Sequence, residues 1–335
     1  MLARITNAID RREAILLPFI CETLNQSPVD GGFPLILTEN ENLLRARVDL
    51  KRMCPSVGIV DSGECMEIMD LYGKKRAQYR LSPTHDVGRG ECELATIHAE
   101  RGGNLVIVAR SKESLDNLKQ NLEKEYPVSV HVIVKDLSLP QAPKEIYEEV
   151  KEKGISIDFL INDAGFGGQG EFFERKWELD LAMINVNILA LTALTRFFLP
   201  DFVKRNSGRI LNVSSTAALV PGPLQAVYHA TKAYVTSLSN ALAEELNETN
   251  ITVTALMPGA TETQFARTSG MDKTVMFKRA FSARSVAEDG YNGMMAGKLN
   301  VISGLSFAQR LMLAAIPFIP KRLLLRSVRK MTEAK

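Results

Sequence analysis

The run Gly208-Arg-Ile-Leu-Asn-Val-Ser-Ser215, followed by Tyr228-His-Ala-Thr-Lys232, decides the fold of this chain. Residues 210–213 carry three apolar side chains after a Ser-Gly turn, which is typical of a strand buried on both faces. Ser215 then falls where that strand ends, at the edge where open α/β sheets bind their ligands. The pattern therefore predicts a parallel α/β sheet with a site at the end of this strand.

Tyr228 and Lys232 lie four residues apart in a segment patterned as a helix, so they share one face. The apolar residues of that helix are Val227, Tyr234, Leu238, Leu242 and Leu246. A free phenol has a pKa near ~10 and is a poor proton donor or acceptor at neutral pH. An ammonium about 4 Å away favours the phenolate by roughly 4 kcal/mol at an effective dielectric of ~20. We therefore predict that Lys232 lowers the pKa of Tyr228 and makes it a general acid–base.

The same Tyr-x-x-x-Lys spacing occurs at Tyr147 and Lys151, in a segment that predicts a solvated amphipathic helix. The spacing alone is therefore a weak signal. A packed tyrosine beside a lysine whose stem covers apolar surface is the alternative for Tyr228 and Lys232. The strand end at Ser215 favours the catalytic interpretation, because its hydroxyl can donate to the same substrate oxygen and stabilise charge there.

At these residues the chain resembles the short-chain dehydrogenase/reductase family, over roughly residues 91–265. The resemblance implies that Ser215, Tyr228 and Lys232 carry the chemistry and that Asn187 holds a water in the proton relay behind the lysine. It implies a Rossmann-type, doubly wound parallel sheet in three α/β/α layers, in agreement with the alternation of strands and helices. The implied activity is NAD(P)(H)-dependent interconversion of a carbonyl and an alcohol of a small molecule by hydride transfer.

The resemblance also implies a dinucleotide site. Arg110 follows the predicted strand Asn104–Ala109, where NAD-preferring members carry an acid, so NADP(H) is favoured over NAD(H); a surface arginine is the alternative. Asp136 follows the third predicted strand, 128–134, and either approaches the adenine or caps a turn. The implied cofactor-binding residues are Gly88, Gly90, Arg110, Asp136, Leu137, Asn162, Ala164, Gly165, Tyr228, Lys232, Pro258, Gly259, Thr261 and Thr263.

The glycine-rich phosphate turn of the family is altered in this chain. The family pattern is Thr-Gly-x-x-x-Gly-x-Gly after an apolar strand. Here Arg80-Leu-Ser-Pro-Thr-His-Asp-Val-Gly-Arg-Gly90 keeps only the last two glycines, with a one-residue offset. The strand predicted before them, 77–81, is partly polar. Pro83 removes a backbone donor near the phosphate site, and Asp86 would repel phosphate.

A second departure is Asp163 in Asn162-Asp-Ala-Gly165, where the family has Asn. A carboxylate cannot donate the hydrogen bonds of an amide, so a buried Asp163 is expected to weaken the sheet (whose fourth strand is predicted over 155–161) or the cofactor contact. The two departures keep open a second hypothesis. On that hypothesis the protein has the family fold, has lost its dinucleotide phosphate loop, and serves only as a binding or scaffold protein.

Composition narrows the remaining classes. The chain has 335 residues and a net charge of +2, which gives no reason to expect a nucleic-acid partner. Its four cysteines and four histidines are scattered, so no metal site is predicted. No secretory signal pattern occurs near residue 1, and a cytoplasmic protein is expected.

The domain prediction is an unassigned extension over residues 1–75 and a Rossmann domain over 76–335, with a variable substrate lid at about 264–335. The extension is either poorly ordered or a small appended module. Leu311–Pro320 is apolar but too short to span a bilayer, and basic residues follow it. This segment is expected to close the substrate pocket or make an oligomer contact, with peripheral membrane contact as the alternative. The family resemblance implies a homodimer or homotetramer.

Overall fold

The computed structural model describes residues 79–83, 89–262 and 280–333. The predicted extension over 1–75, and the cofactor-binding roles predicted for Gly88 and Thr263, lie outside the described residues and stay predictions.

A parallel sheet with the strand order β3-β2-β1-β4-β5-β6-β7 forms the centre of the described part. The strands are β1 (Tyr79–Pro83), β2 (Asn104–Ala109), β3 (Val130–Val134), β4 (Ile157–Asn162), β5 (Gly208–Val213), β6 (Ile251–Pro258) and β7 (Asn300–Ser303). The chain winds outward in opposite directions from β1 and β4, which are neighbours. That reversal is the topological switch point at which doubly wound sheets open a crevice.

Helices connect the strands and cover both faces of the sheet. They are α1 (Arg89–Glu100), α2 (Lys112–Glu125), α3 (Ala142–Glu152), α4 (Trp177–Ile184), α5 (Leu191–Arg205), α6 (Ala226–Glu245), α7 (Ala283–Met295), α8 (Phe307–Ala315) and α9 (Lys321–Thr332). A π-helical segment, Asn185–Ala190, joins α4 to α5 without a break. Short 3-10 turns follow β5 and α8, at Thr216–Leu219 and Ile316–Phe318.

Alternation along the strands divides the core into two layers. In β2, Val106 and Val108 pack with α3, α5 and α6 on one face, whereas Leu105 and Ile107 pack with α1 and α2 on the other. Successive strand side chains point to opposite faces, so a strand covered on both faces must be apolar throughout. The three-layer α/β/α Rossmann-type fold predicted from the sequence is confirmed.

The strand bounds differ from the predicted ones mainly at β1. The sequence predicts a strand over 77–81, whereas β1 spans Tyr79–Pro83. The segment forms a strand because β2 and β4 both pair with it, for example through Leu81↔Val106 and Leu81↔Leu160. Pairing on two sides outweighs the polar local sequence. Pro83 is the last residue of the strand, where a missing backbone donor disturbs the ladder least. Strands β3 and β4 each begin two residues later than predicted.

Part of the predicted lid belongs to the sheet and its core. Within the described part of residues 264–335, α7 buries Val286, Tyr291 and Met294 against the sheet. Strand β7 extends the sheet by pairing with β6. The lid role of the remaining residues in that range stays a prediction.

The continuous helix Trp177–Arg205 is long and apolar enough to cross a membrane, with a mean hydropathy of 1.6. It is also the core helix of one layer, since Leu194, Phe198 and Phe202 are buried against the sheet. Length and hydropathy alone do not distinguish a membrane-spanning helix from a core helix. The burial of these side chains against the sheet is what a core helix requires.

A buried amide network ties β4, β5, α5 and α6 together. Asn162 Nδ2 donates to Asn212 Oδ1 at 2.8 Å and to Thr195 Oγ1 at 3.1 Å, and Asn212 Nδ2 donates to Ser239 Oγ at 2.9 Å. Both asparagines are almost fully buried. Because a buried polar group without a partner costs free energy, this network constrains the register of β4 against β5.

Asn212→Ala should therefore lower the free energy of unfolding by about 2–3 kcal/mol, because Asn162 and Ser239 would each lose a buried partner. Urea denaturation followed by circular dichroism measures the change. The matched control is Asn247→Ala, since the exposed Asn247 side chain donates to the exposed Glu244 carboxylate, and its expected effect is within about 0.5 kcal/mol. Equal effects of the two substitutions would contradict the role of the network.

Candidate active site

Ser215 lies directly after β5 and begins the 3-10 turn Thr216–Leu219. Its hydroxyl oxygen accepts the amide hydrogen of Ala217 at 3.1 Å and lies 3.5 Å from the carbonyl oxygen of Pro258, the last residue of β6. The same hydroxyl hydrogen-bonds the phenol of Tyr228. Ser215 and Tyr228 therefore meet at the carboxyl edge of the sheet, where the sequence predicts the site.

Helix α6 presents an inward stripe at helical spacing: Tyr228, Thr231, Lys232, Val235 and Ser239. Ser214 ties this stripe to the strand end, because its hydroxyl donates to the backbone oxygen of Lys232 at 2.8 Å. Its amide also donates to Leu256 O in β6, at 2.7 Å. The polar stripe is thereby held against the end of β5, while Tyr234 of the predicted apolar set is exposed.

Lys232 is 5% exposed, and its ammonium donates to the backbone oxygen of Val213 at 2.8 Å. Burial lowers the pKa of Lys232 to about 8, and the negative charge of Asp163 partly opposes that shift. Asp163 therefore favours the charged ammonium beside it. The family has Asn at this position; here the carboxylate of Asp163 raises the pKa of Lys232, and its expected weakening of the sheet or the cofactor contact stays a prediction.

The predicted lowering of the pKa of Tyr228 is wrong for this structure. Burial raises the pKa of Tyr228 to about 12, and only the hydrogen bond from Ser215 acts in the opposite direction. The Lys232 ammonium is 6.0 Å from the centre of the tyrosine ring and bonds Val213 O instead. The charge is thus farther away than the prediction assumed, and desolvation outweighs its field.

Asn187 lies in the π-helical segment between α4 and α5, a distortion that recurs at functional sites. Its side chain exchanges two hydrogen bonds with the backbone of Phe166, at 3.0 and 3.1 Å, and donates to Thr231 Oγ1 at 3.0 Å. A Cβ on Gly165 would lie 3.1 Å from Lys232 Nζ and 3.2 Å from Asn187 Oδ1. Glycine at 165 thus allows the loop after β4 to pack against both side chains. The predicted relay water behind the lysine stays a prediction.

Tyr147 and Lys151 share the Tyr-x-x-x-Lys spacing but form no comparable site. Tyr147 is partly buried against the core, where it stacks on Phe197 and donates to Asp201 at 3.3 Å. Lys151 is an exposed residue whose ammonium pairs with the same carboxylate at 3.3 Å. The segment is a helix that buries Ile146 and Val150, as an amphipathic pattern predicts, and the Tyr147–Lys151 pair is part of the α3–α5 packing.

The predicted cofactor-binding residues that the structure describes lie at the same sheet edge, but their side chains differ in accessibility. Arg110 is exposed directly after β2. Asp136 accepts the amide hydrogen of Ser138 at 2.8 Å, so the turn-capping alternative is observed. Gly90 falls within α1, and the Thr261 hydroxyl donates to Gly259 O at 3.0 Å.

Other predicted cofactor residues use their side chains in the core. Leu137 and Ala164 belong to the main apolar cluster, and Asn162 is committed to the amide network. These three residues are buried. A Cβ on Gly259 would lie 2.3 Å from the backbone oxygen of Gly304, so the turn after Pro258 requires glycine.

Sequence reasoning missed Ser214, Thr231 and Phe166, which position the other residues. Thr231 accepts from Asn187 and donates to the backbone oxygen of Tyr228 at 2.7 Å. Ser214 and Thr231 directly precede Ser215 and Lys232 in the sequence, so adjacency to those two residues could have identified them. The Phe166 contact is made by backbone atoms, and nothing in its side-chain type indicates it.

A sequence model of the short chain dehydrogenase family matches residues 90–274. The chain belongs to the short-chain dehydrogenase/reductase family. The match begins after β1 and residues 84–88, in agreement with the altered phosphate turn.

Similar proteins of the family include reductases and a steroid dehydrogenase. The mouse very-long-chain 3-oxoacyl-CoA reductase is 34% identical over 175 residues, covering 50% of this chain and 55% of that protein. The 7beta-hydroxysteroid dehydrogenase of Mediterraneibacter gnavus is 28% identical over 227 residues, covering 67% of this chain and 84% of that protein. The chain spans about half the length of the mouse relative.

Among solved structures, a short-chain dehydrogenase from Sphingobium yanoikuyae in complex with NADPH is 30% identical, with a TM-score of 0.64. The alignment covers 76% of this chain and 98% of that one. The described Rossmann domain is thus similar to nearly the whole of a short-chain dehydrogenase.

Lys232→Met should raise the free energy of unfolding at pH 7 by about 2 kcal/mol, because it removes a charge whose burial is unfavourable. Between pH 8 and about 10.5 the unfolded chain binds more protons than the folded one, so wild-type stability rises with pH. The difference in the free energy of unfolding between Lys232→Met and the wild type, measured by denaturant titration, should therefore shrink from pH 8 to about 10.5. A pH-independent difference, or the same behaviour in the exposed control Lys204→Met, would contradict a buried ammonium.

Proposed function

We propose that this protein reduces a ketone to a secondary alcohol, and catalyses the reverse reaction, with a nicotinamide dinucleotide as hydride donor or acceptor. The observation that carries the proposal is the hydrogen bond between Ser215 and Tyr228, beside the buried ammonium of Lys232. General acid–base groups function when a donor of the correct protonation state lies within hydrogen-bond reach of the substrate oxygen. These side chains meet at the strand end where ligands of such sheets bind.

The protonation states favour the reductive direction. With its pKa raised to about 12, Tyr228 is protonated at neutral pH and can donate to a carbonyl oxygen that gains negative charge. The Ser215 hydroxyl can donate to the same oxygen once a substrate replaces the phenol as its partner. Lys232, with a pKa of about 8, keeps most of its charge at pH 7 and lowers the cost of a phenolate left behind.

The described residues fit the two ends of a nicotinamide dinucleotide. The exposed guanidinium of Arg110 after β2 suits a ribose 2′-phosphate, so we favour NADP(H), with NAD(H) as the alternative. The loops after β4 and β6, with Gly165 and Gly259, border the catalytic side chains on the same sheet edge. Helix α1 begins at Arg89 beside the switch point, where a helix N-terminus favours phosphate. When bound, the nicotinamide supplies or accepts the hydride.

The substrate we propose is a ketone on a large apolar scaffold. The two named relatives act, by their names, on very-long-chain 3-oxoacyl-CoA and on a 7beta-hydroxysteroid. In this chain Phe172 and Phe173, which precede α4, and Trp177, its first residue, are exposed after the Gly165 loop. Exposed aromatic side chains close to a site commonly contact apolar ligands.

We further propose that the protein is a cytoplasmic homo-oligomer. A binding or scaffold protein that has lost its dinucleotide phosphate loop is the alternative function. Helices α5 and α6, which pair across the dimer face in many family members, leave Val203 and Tyr234 exposed. The altered phosphate turn favours the scaffold alternative, and Asp163 does not, because it supports the charge of Lys232.

The test combines cofactor binding with turnover. Titrating the full chain with NADPH should give a saturable fluorescence change, and a long-chain 3-oxoacyl-CoA or a 7-oxosteroid should then be reduced. Tyr228→Phe should retain NADPH binding and lose about 10²–10⁴-fold in kcat, because the proton donor is removed. Tyr147→Phe, at the matched spacing, should change kcat less than about twofold. Absence of saturable NADPH binding up to millimolar cofactor would support the scaffold alternative instead.

Arg110→Asp should shift the ratio of kcat/KM for NADPH over NADH by at least about tenfold toward NADH, because a charge-assisted contact to the 2′-phosphate is replaced by repulsion. The matched control is Arg196→Asp, an exposed arginine on α5, which should leave the ratio unchanged. An unchanged ratio in Arg110→Asp would show that Arg110 is an ordinary surface residue.

A further inference from the structure

The segment Phe307–Thr332, called here the C-terminal arm, has an unusual composition and exposure. It contains six cationic residues and no acidic residue. The cations are Arg310, Lys321, Arg322, Arg326, Arg329 and Lys330. Within the arm only Thr332 is buried. A helical segment that packs as ordinary core would bury an apolar stripe, so the arm needs another explanation.

Helix α8 and the turn after it direct large apolar side chains outward. Phe307 is 83% exposed, Leu311 is 63% exposed, and Phe318 in the following turn is 86% exposed. Phe307 and Leu311 are four residues apart and lie on one face of the helix. The half-buried Leu313 faces another side. The outward face is therefore the more apolar one, which is the reverse of a helix on a water-facing surface.

Helix α9 carries the cations on its outward face. Leu324, Leu325 and Val328 are half-buried, and Thr332 is buried, so these residues mark the inward side. Arg329 pairs with Glu171 and, at 3.2 Å, with Glu333. The other cations of the helix, Lys321, Arg322, Arg326 and Lys330, are exposed and make no ion pair with any described residue. Lys321 and Arg322 follow Phe318 within four positions, so apolar and cationic groups adjoin.

Both ends of the arm are attached to loops of the catalytic site. Gly304 and Leu305, just before the arm, pack against Gly259 in the turn after β6. At the other end the hydroxyl of Thr332 donates to Pro223 O at 3.1 Å, and Gln169 Nε2 donates to Thr332 O. The loops bearing Gln169 and Pro223 are themselves joined, since Gly170 N donates to Leu224 O at 2.9 Å. Whatever covers the arm therefore lies against the catalytic side of the domain.

We propose that the C-terminal arm adsorbs to an anionic lipid bilayer surface. Phe307, Leu311 and Phe318 would enter the boundary between headgroups and acyl chains, and the four exposed cations of α9 would contact lipid phosphates. Apolar side chains flanked by uncompensated cations are the pattern of interfacial segments, and each basic residue adds to the attraction. A second copy of the chain fits less well, because it would bring two sets of cations together without any carboxylate from the arm.

This docking has a consequence for substrate access. A bilayer against the arm would lie beside the loops at Gly259 and Pro223, so an apolar ketone could pass from the lipid into the site without crossing water. The docking does not depend on the proposed chemistry, because it rests on the exposure and charge of the arm. Vesicle binding and turnover therefore test the two proposals separately.

The experiment is co-sedimentation of the full chain with vesicles of phosphatidylcholine alone, and with vesicles in which phosphatidylglycerol replaces part of it. We expect binding to the anionic vesicles that weakens steeply as ionic strength rises from about 0.1 M to about 1 M, where the Debye length falls from about 10 Å to about 3 Å. Replacing Arg322, Arg326 and Lys330 by Gln should weaken partition at least about tenfold. The matched control replaces the exposed Lys124, Lys153 and Lys204 by Gln and should retain binding.

A second variant tests the apolar face. Phe307→Ser with Leu311→Ser should also weaken partition at least about tenfold, with an unchanged circular dichroism spectrum, because both residues are exposed in the free protein. Equal partition of the arm variants, the control variant and the wild type would overturn the proposal. So would a shift of Phe307→Ser/Leu311→Ser from dimer to monomer in gel filtration without lipid, since the arm would then cover a second copy of the chain.

Discussion

The buried ammonium of Lys232 is the constraint on which the site depends. A charge in the interior must find acceptors, and Lys232 finds the carbonyl oxygen of Val213 at the end of β5. Reaching that oxygen requires α6 to present one particular face to the strand end, and the Ser214 hydroxyl holds the helix there. With Lys232 in place, Tyr228 lies one turn earlier on the same face and meets Ser215. One buried contact thus sets the position of the phenol.

The same burial determines the protonation states. Desolvation lowers the pKa of Lys232 to about 8 and raises that of Tyr228 to about 12, so both groups are displaced in the direction that disfavours charge. Among the causes of the shift in the Lys232 pKa, Asp163 is the only charged group. Its negative charge raises that pKa and so favours the charged ammonium. The chain therefore combines a protonated phenol with a lysine that stays charged at neutral pH. The carboxylate of Asp163, where the family has an amide, thus favours the charged form of Lys232.

Two surfaces of the domain are arranged around this site. Arg110, Gly165 and Gly259 follow β2, β4 and β6 at one edge of the sheet, and Thr332 attaches the C-terminal arm to Pro223, in the loop before α6. Among the residues that the structure describes, the outward faces of α8 and α9 are exposed. The arm is held at both ends, with exposed apolar side chains on α8 and exposed cations on α9, which is the pattern on which its proposed docking to a bilayer rests.

Sequence alone predicted six of the seven strands and the proximity of Ser215, Tyr228 and Lys232, because apolar strand runs and four-residue helical spacing follow from local geometry, whereas β7 was found only in the structure. It also located Asn187, Ser215, Tyr228 and Lys232 on the correct elements. Only the tertiary structure decided that β1 spans Tyr79–Pro83, two residues later than predicted, because β2 and β4 supply partners on both sides. Only the tertiary structure decided the pKa order of Tyr228 and Lys232 and the role of Asp163. Those properties depend on burial and on distances between residues far apart in the chain, which no local pattern encodes.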